Sequence, residues 1–237
     1  LVKIIEADLA EEAAKVGSFV SVGPYVNAKL NKSAASSDIL GKIQAQGDNY
    51  GSLNGENKKP LEGKKVMLEF SSPNTNKPLH LGHLRNDALG ESVSRILKKA
   101  GAEVFKVNII NNRGVHICKS MLAYIINHSG NPEYVTETGI SPDFKFTLKD
   151  TPETLGVKSD RFVGDCYVEF EKLCKPTGCT EDEEKALRPK YEAIAQSMLV
   201  EWEKGNEEIR KLWQQMNDWA IGGIKQTYDR TDVSFDK

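Results

Sequence analysis

The stretch that most limits the fold runs from residue 63 to residue 114: GKKVMLEFSSPNTNKPLHLGHLRNDALGESVSRILKKAGAEVFKVNIINNRG. Its opening KVMLEF, 65 to 70, is a short apolar run followed by turn residues, which suits a buried parallel strand. Beyond a proline-bracketed polar loop, Leu84, Ala88, Leu89, Val93, Ile96 and Leu97 recur at helical spacing, and Gly101 supplies a C-terminal stop. EVFKVNII, 103 to 110, is a second strand. Strand, loop, helix and strand in that order make a βαβ unit, whose crossover dictates parallel strands and a right-handed connection. The fold class expected is therefore α/β.

Composition narrows the rest. A chain of 237 residues, 39% hydrophobic and 28% charged, can bury a core of ordinary size and suits one large domain or one and a half. No run approaches the roughly 18 uncharged apolar residues of a membrane span, and the start lacks the basic-then-apolar order of a secretory signal. No membrane is expected, and the cytoplasm is the default location. The net charge of -2 supplies no global attraction for phosphate, so nucleic acid would have to meet a local patch. Cys118, Cys166, Cys174 and Cys179 show no CxxC spacing and no clustered histidine, which favours a reduced, unpaired set over zinc or disulfides. No protein-bound metal is expected. The chain begins without Met and stops at TDVSFDK, where an alternating apolar pattern is just starting, so we read it as a piece of a longer protein.

Other segments fill in the organisation. Ile5 to Val16 reads as a short helix, and SFVSVGPYVNAKL as strands broken at Gly23-Pro24, together the remnant of a small α+β domain. Residues 33 to 63 are rich in Gly, Asn, Ser and Lys and read as a linker or exposed loop with at most one helical turn. Residues 1–62 are thus assigned to that N-terminal unit plus linker, and 63–237 to the first half of a parallel-sheet domain. Within the latter, NNRG leads into a helix, VHICKSMLAYIINH. Residues 129 to 160 lack a period and read as an insertion, extended with the helices after it to about residue 200. Residues 161 to 228 are mainly helical, packed down by Trp202, Trp213 and Trp219.

Two of the chain's four histidines, His80 and His83, fall between a strand end and a helix start. Open α/β sheets bind ligands beyond the carboxyl ends of their strands, and a helix N-terminus offers free N–H groups and partial positive charge to an anion. Phosphate is the natural guest. Gly82 would let a bulky group come close to the backbone, while the imidazoles donate to phosphate oxygens as charge builds. Spacing alone leaves the alternatives that the pair binds metal, or merely caps and packs. His116 suits a substrate contact or a solvated position equally, and His128 reads as surface. Lys58, Lys59, Lys64 and Lys65 are solvated charge or RNA-backbone contacts.

PNTNKPLHLGH resembles the class I aminoacyl-tRNA synthetase signature whose first half is the HIGH motif. The wider EFSSPNTNKPLHLGHLRN is similar more narrowly to arginyl-tRNA synthetases. GPYVNAKL resembles the close of that family's N-terminal additional domain, and NIINNRGVHI falls at its next strand and loop. The likeness covers residues 20 to 31 loosely and 65 to 127 well. It implies a Rossmann-type catalytic domain that activates arginine with ATP and Mg²⁺, releases pyrophosphate and passes the arginyl group to the terminal ribose of tRNA. By carry-over His80, Gly82 and His83 face ATP, with His80, His83 and Lys77 catalytic. Asn74, Ser71, Glu69 and His116 would hold arginine, a carboxylate such as Glu69 suiting the guanidinium through a bidentate pair.

The family's second motif, KMSKS, belongs downstream of this chain, and a lysine just before the first histidine, here Lys77, is thought to replace it where it is degenerate. At NNRG many relatives have an acid and an aromatic, so no role is carried onto Asn112 or Arg113. The resemblance further implies a monomer, and the 237 residues alone are expected to be inactive. Two rivals stand beside this reading: a nucleotidylyltransferase of the same HxGH superfamily, which usually shows a Gly-Thr-Phe-Asp-Pro-like lead-in where this chain has SSPNTNKP, and a non-catalytic nucleotide- or RNA-binding module.

Overall fold

The computed structural model describes residues 2–8, 10, 11, 15, 17–51 and 59–237. The chain divides into two compact units, Leu1–Glu62 with Lys99–Gly101, and Gly63–Lys98 with Ala102–Lys237. In the first, helix α1 (Val2–Asp8) precedes strands β1 (Gly17–Val22) and β2 (Tyr25–Leu30). The strands pair antiparallel with Val22 opposite Tyr25, and Gly23 takes the left-handed conformation that so tight a turn needs (φ 58°). The reading of one helix to Val16 lies partly outside the described residues, as does Lys58.

The first half of the expected linker is a helix of about four turns, which corrects the reading of at most one: α2 spans Lys32–Gln46. Asn31 caps it, its side chain accepting from the Ala34 N–H at 3.2 Å. None of its residues is buried, and its large apolar residues, Ile39, Leu40 and Ile43, make only a short exposed patch among Ser, Ala, Gly and Lys. Of the lysines flagged as charge, Lys59 and Lys64 are exposed, and Lys65 pairs across the strands with Glu103 at 3.5 Å.

The second unit opens with the expected βαβ. Strand β3 (Lys65–Glu69) runs parallel to β4 (Glu103–Val107), in register from Lys65 opposite Glu103 to Glu69 opposite Val107, with α3 (Leu81–Lys99) as the crossover. Within these 237 residues the strand is covered on one face. Met67 is 72% exposed and its partner Phe105 44%, while Phe70 is enclosed, so the run alternates like a one-faced strand. Phe70 lies so close under α3 that a Cβ on Gly90 would stand 2.2 Å from its Cγ. Lys237 runs beside β4, donating to the Lys106 carbonyl at 3.3 Å and accepting from the Asn108 N–H at 2.9 Å, the hydrogen-bond pattern of a parallel ladder.

Helices α4 (Val115–Asn127), α5 (Pro152–Leu155), α6 (Ser159–Cys174), α7 (Glu181–Lys204) and α8 (Glu207–Thr231) follow. Met121, Leu122, Tyr124 and Ile125 of α4 are fully enclosed among Phe170, Ile194, Met198 and Leu212 of the others. Thr180 and Glu183 form a reciprocal capping box at the start of α7, and Asn206 caps α8. Trp219 is buried, and Trp202 meets Trp213 edge-on at 5.2 Å, as the tryptophan reading expected.

Cys118, Cys166 and Cys174 are unpaired core residues, with burial pushing the Cys118 thiol up to about 12. His128 is not at the surface: it caps α4 with its ring nitrogens 3.3 Å from Asp150 and 2.9 Å from Glu169. The Glu169 bond and the Asp150 carboxylate raise its pKa against the opposing effect of burial. Among the described residues no helix is long and apolar enough to cross a membrane.

Candidate active site

The site begins where β3 stops. Phe70 still donates to Val107 at 3.3 Å, but Ser71 (φ 67°) and Ser72 (φ 47°) are both left-handed and turn the chain out of the sheet. Such residues cost about 1–3 kcal/mol each unless their surroundings hold them. Here three segments do. The Ser71 hydroxyl shares a 2.7 Å hydrogen bond with the Tyr228 hydroxyl, which also accepts from the Asn108 amide at 3.1 Å. Asn108 Oδ1 in turn accepts from the Ser72 N–H at 3.0 Å, and the Ser72 hydroxyl donates to Glu69.

The loop is then laced to the segment beyond β4. Thr75 donates to the Asn111 carbonyl at 3.1 Å, Asn111 donates to the Pro73 carbonyl at 3.0 Å, and its side-chain amide donates to Asn74 Oδ1 at 2.7 Å. Both chain crossings therefore lie past the carboxyl ends of the two strands, where an open parallel sheet binds ligands.

At the start of α3 the two imidazoles lie with ring centroids 4.1 Å apart. The His80 N–H donates to His83 Nδ1 at 3.2 Å, and the Gly82 N–H donates to His80 Nδ1 at 3.1 Å. A ring nitrogen that accepts carries no proton, so each neutral imidazole bears its proton on Nε2. This modifies the expectation of free backbone donors: the Gly82 N–H is capped, and the Nε2–H of each ring is the donor that remains. The room at Gly82 belongs to His80, since a Cβ there would stand 2.9 Å from His80 Cε1. Burial and the neighbouring His80 lower the His83 pKa and favour its neutral ring, and Asp87 partly offsets them. Asp87 is itself buried, and that burial pushes its carboxyl up while the Ser71 hydroxyl and His83 draw it down.

Two cavities divide the residues expected to bind arginine. One of about 170 Å³ is lined by Asn74, Lys77 and His116 together with Asn111 and Arg113. Another of about 400 Å³ is lined by Glu69, Ser71 and Ser72 with Phe70, Leu89 and Val93. His80, Gly82 and His83 line neither. The Lys77 ammonium sits 4.9 Å from the centroid of the Tyr167 ring, and the exposed His116 has Nδ1 3.4 Å from the Tyr167 hydroxyl. Arg113 pairs with Glu203 and lies over Trp202, and the Asn112 carbonyl accepts from Trp213 Nε1 at 2.6 Å. Sequence reasoning passed over Asn108, Asn111, Tyr167 and Tyr228. The asparagines fall inside the NIINNRG string; the tyrosines sit in helices that carried no signal. Among the described residues, His128, Cys166 and Glu169 bring ligand-type atoms within 4.8 Å of one another, but both ring nitrogens of His128 already face carboxylates, those of Asp150 and Glu169.

The family described as tRNA synthetases class I (R), catalytic domain, matches residues 50–237. The chain is 52% identical over 228 residues to an arginine-tRNA ligase of Treponema denticola, covering 96% of this chain and 33% of that protein. To an arginine-tRNA ligase of Treponema pallidum it is 48% identical over 215 residues, covering 91% of this chain and 31% of that one. It thus spans about a third of the length of the curated relatives it matches. Among solved structures, the arginyl-tRNA synthetase of Thermus thermophilus aligns with 99% of this chain and 33% of its own, with a TM-score of 0.50 at 22% identity, a likeness of fold. A family match across most of the sequence, falling on a parallel βαβ unit with paired histidines at its crossover helix, leaves one conclusion: the chain belongs to the class I (R) tRNA synthetases, as part of their catalytic domain.

Proposed function

We propose that the full-length protein is an arginine-tRNA ligase, which activates arginine with ATP and transfers the arginyl group to the terminal ribose of its tRNA. The observation that carries this reading is the pair of imidazoles at the start of α3, each accepting a backbone N–H at Nδ1, which leaves Nε2 as the ring's donor. Their place beyond the strand ends, on the same loop-to-helix segment that gives Asn74 and Lys77 to the smaller cavity, suits a polyphosphate bound with a small polar substrate.

In this reading His80 and His83 donate to phosphate oxygens as the arginine carboxylate attacks the α-phosphorus and pyrophosphate leaves. Lys77 adds positive charge to the departing group. Asn74 and His116 hold arginine from one cavity, Ser71 and Glu69 from the other, with Gly82 at the adenosine. Little covalent help is needed from side chains, because in-line displacement is served by positioning and by donors aimed at developing charge. Mg²⁺ arrives with ATP and neutralises polyphosphate charge. Residues 1–62 would then close the N-terminal additional domain, and 63–237 form the N-terminal half of a Rossmann-type catalytic domain with an insertion at about 129–200. We assign the whole protein to the cytoplasm as a monomer, and the 237 residues by themselves should not charge tRNA.

The test is arginine-dependent pyrophosphate exchange by the full-length protein with its tRNA present. His80→Ala or His83→Ala should lower the rate by about 10²–10³, the effect of removing one donor aimed at transition-state charge. Near-normal exchange in both variants would overturn the assignment. ATP turnover onto an acceptor other than arginine would favour a nucleotidylyltransferase, and ligand binding without turnover a binding module.

A further inference from the structure

We propose that Tyr167 is a positioning residue for Lys77, so that the helical insertion helps to set the active-site lysine; this rests on the reading of Lys77 given above. Helix α6 meets the substrate loop at two positions three residues apart, which lie on one helix face. At the first, Gly164 admits Pro78 so closely that a Cβ there would stand 2.4 Å from Pro78 Cδ. At the second, the Tyr167 ring lies under the Lys77 ammonium at 4.9 Å. One helix face thus holds both residues of the Lys77–Pro78 step, the proline by contact and the lysine by attraction to the ring.

The choice of partner has a chemical consequence. Among the described residues Lys77 is placed by an aromatic face and forms no ion pair. A carboxylate would hold the ammonium more tightly but would cancel the charge that phosphate needs. A ring quadrupole orders the long, rotamer-rich side chain and leaves its full charge available. The Tyr167 hydroxyl also reaches His116 Nδ1 at 3.4 Å, and His116 lines the same cavity as Lys77 and Asn74. Tyr167 therefore spans two groups of the candidate site without lining that cavity itself.

The experiment measures kcat and KM for ATP in arginine activation by the full-length protein, with thermal midpoints as a folding control. Tyr167→Leu should lower kcat roughly three- to thirtyfold, the range expected for a cation–π contact between exposed and desolvated limits, and leave KM for ATP within about twofold. Tyr167→Phe, which keeps the ring, should stay within about twofold of the parent in both. The double variant Lys77→Ala with Tyr167→Leu should be no slower than Lys77→Ala alone, because the second change removes support from a group already gone. Should Tyr167→Leu lower the midpoint, Tyr167→Met, whose unbranched side chain fills an irregular gap more readily, takes its place. If Lys77→Ala slows turnover and the ring-deleting variant does not, or if the two losses multiply in the double variant, the inference about Tyr167 is wrong while Lys77 keeps its role. If Lys77→Ala turns over at the parent rate, the reading of Lys77 fails and Tyr167 falls with it.

Discussion

The helical part of the second unit and its strand end treat apolar side chains in opposite ways. On α4, Met121, Leu122, Tyr124 and Ile125 have no exposed surface, enclosed by the neighbouring helices and by Phe144 and Phe146 of the loop between them. On the strands and their exits, Met67 is 72% exposed, Ile109 63% and Leu81 at the start of α3 82%. The polar groups divide the same way: the left-handed serines, the paired imidazoles and the asparagine lacing all belong to the strand end. Stability and chemistry are carried by different parts of the same unit, and substitutions in the two should have different signatures.

The sharpest way to break that division is a matched pair of truncations. Phe170→Ala removes a fully enclosed ring and should cost about 3–5 kcal/mol of unfolding free energy in denaturant titration. Met67→Ala in this chain should stay within about 0.5 kcal/mol, as exposed positions do. Comparable losses from both would mean that the strand end carries as much of the fold as the helices. A smaller effect should appear in kinetics alone. Asn74→Ala in the full-length protein removes a hydrogen-bonding group from the cavity shared with Lys77 and His116, and should raise KM for arginine about tenfold while sparing ATP. Equal loss for both substrates would make Asn74 a shaper of the loop, acting through its bond to Asn111.

The smallest effect tests the helical side by pH. The Glu169 bond and Asp150 raise the His128 pKa above its ordinary 6.5, so its stabilisation is complete below that value and is lost as pH rises through the raised one. Burial pushes Glu169 up, but its bonds from His128 and Asn127 outweigh that, and its lowered pKa makes its contribution fade only as pH falls through the acid range. The thermal midpoint of the parent should therefore decline relative to His128→Asn as pH rises from about 6 to 9. A constant difference between the two across that range would show that the imidazolium is not what holds the α4 end to α6.

Much of the architecture could be read from local pattern, because the βαβ unit repeats apolar residues at intervals that belong to one secondary structure each. What escaped was structure held by other means. Helix α2 starts at the Asn31 cap, and its only large apolar residues, Ile39, Leu40 and Ile43, form a short patch in a run whose Ser, Ala, Gly and Lys read as linker. His128 reads as a turn residue between Asn127 and Ser129, yet its partner Glu169 lies 41 residues on, a distance no local pattern spans. KVMLEF has the composition of a doubly buried strand, and these 237 residues supply the cover for one of its faces, leaving Met67 open. In the candidate site, His80, His83, Asn74 and Lys77 stand in one continuous string, whereas Tyr167 and Tyr228 reach it from helices whose spacing is explained by packing alone. A motif announces the residues on its own segment and says nothing of the groups that hold them in place.

The bond between the Ser71 and Tyr228 hydroxyls joins residues 157 positions apart. During synthesis the strand end leaves the ribosome long before the tyrosine that secures it has been made. Asn108, which anchors Ser72, follows after only 36 residues, so the two serines receive their restraints at very different times. On the growing chain the substrate loop therefore waits, half-anchored, while the intervening helices are made, and it is closed by one of the last helices of this segment to emerge.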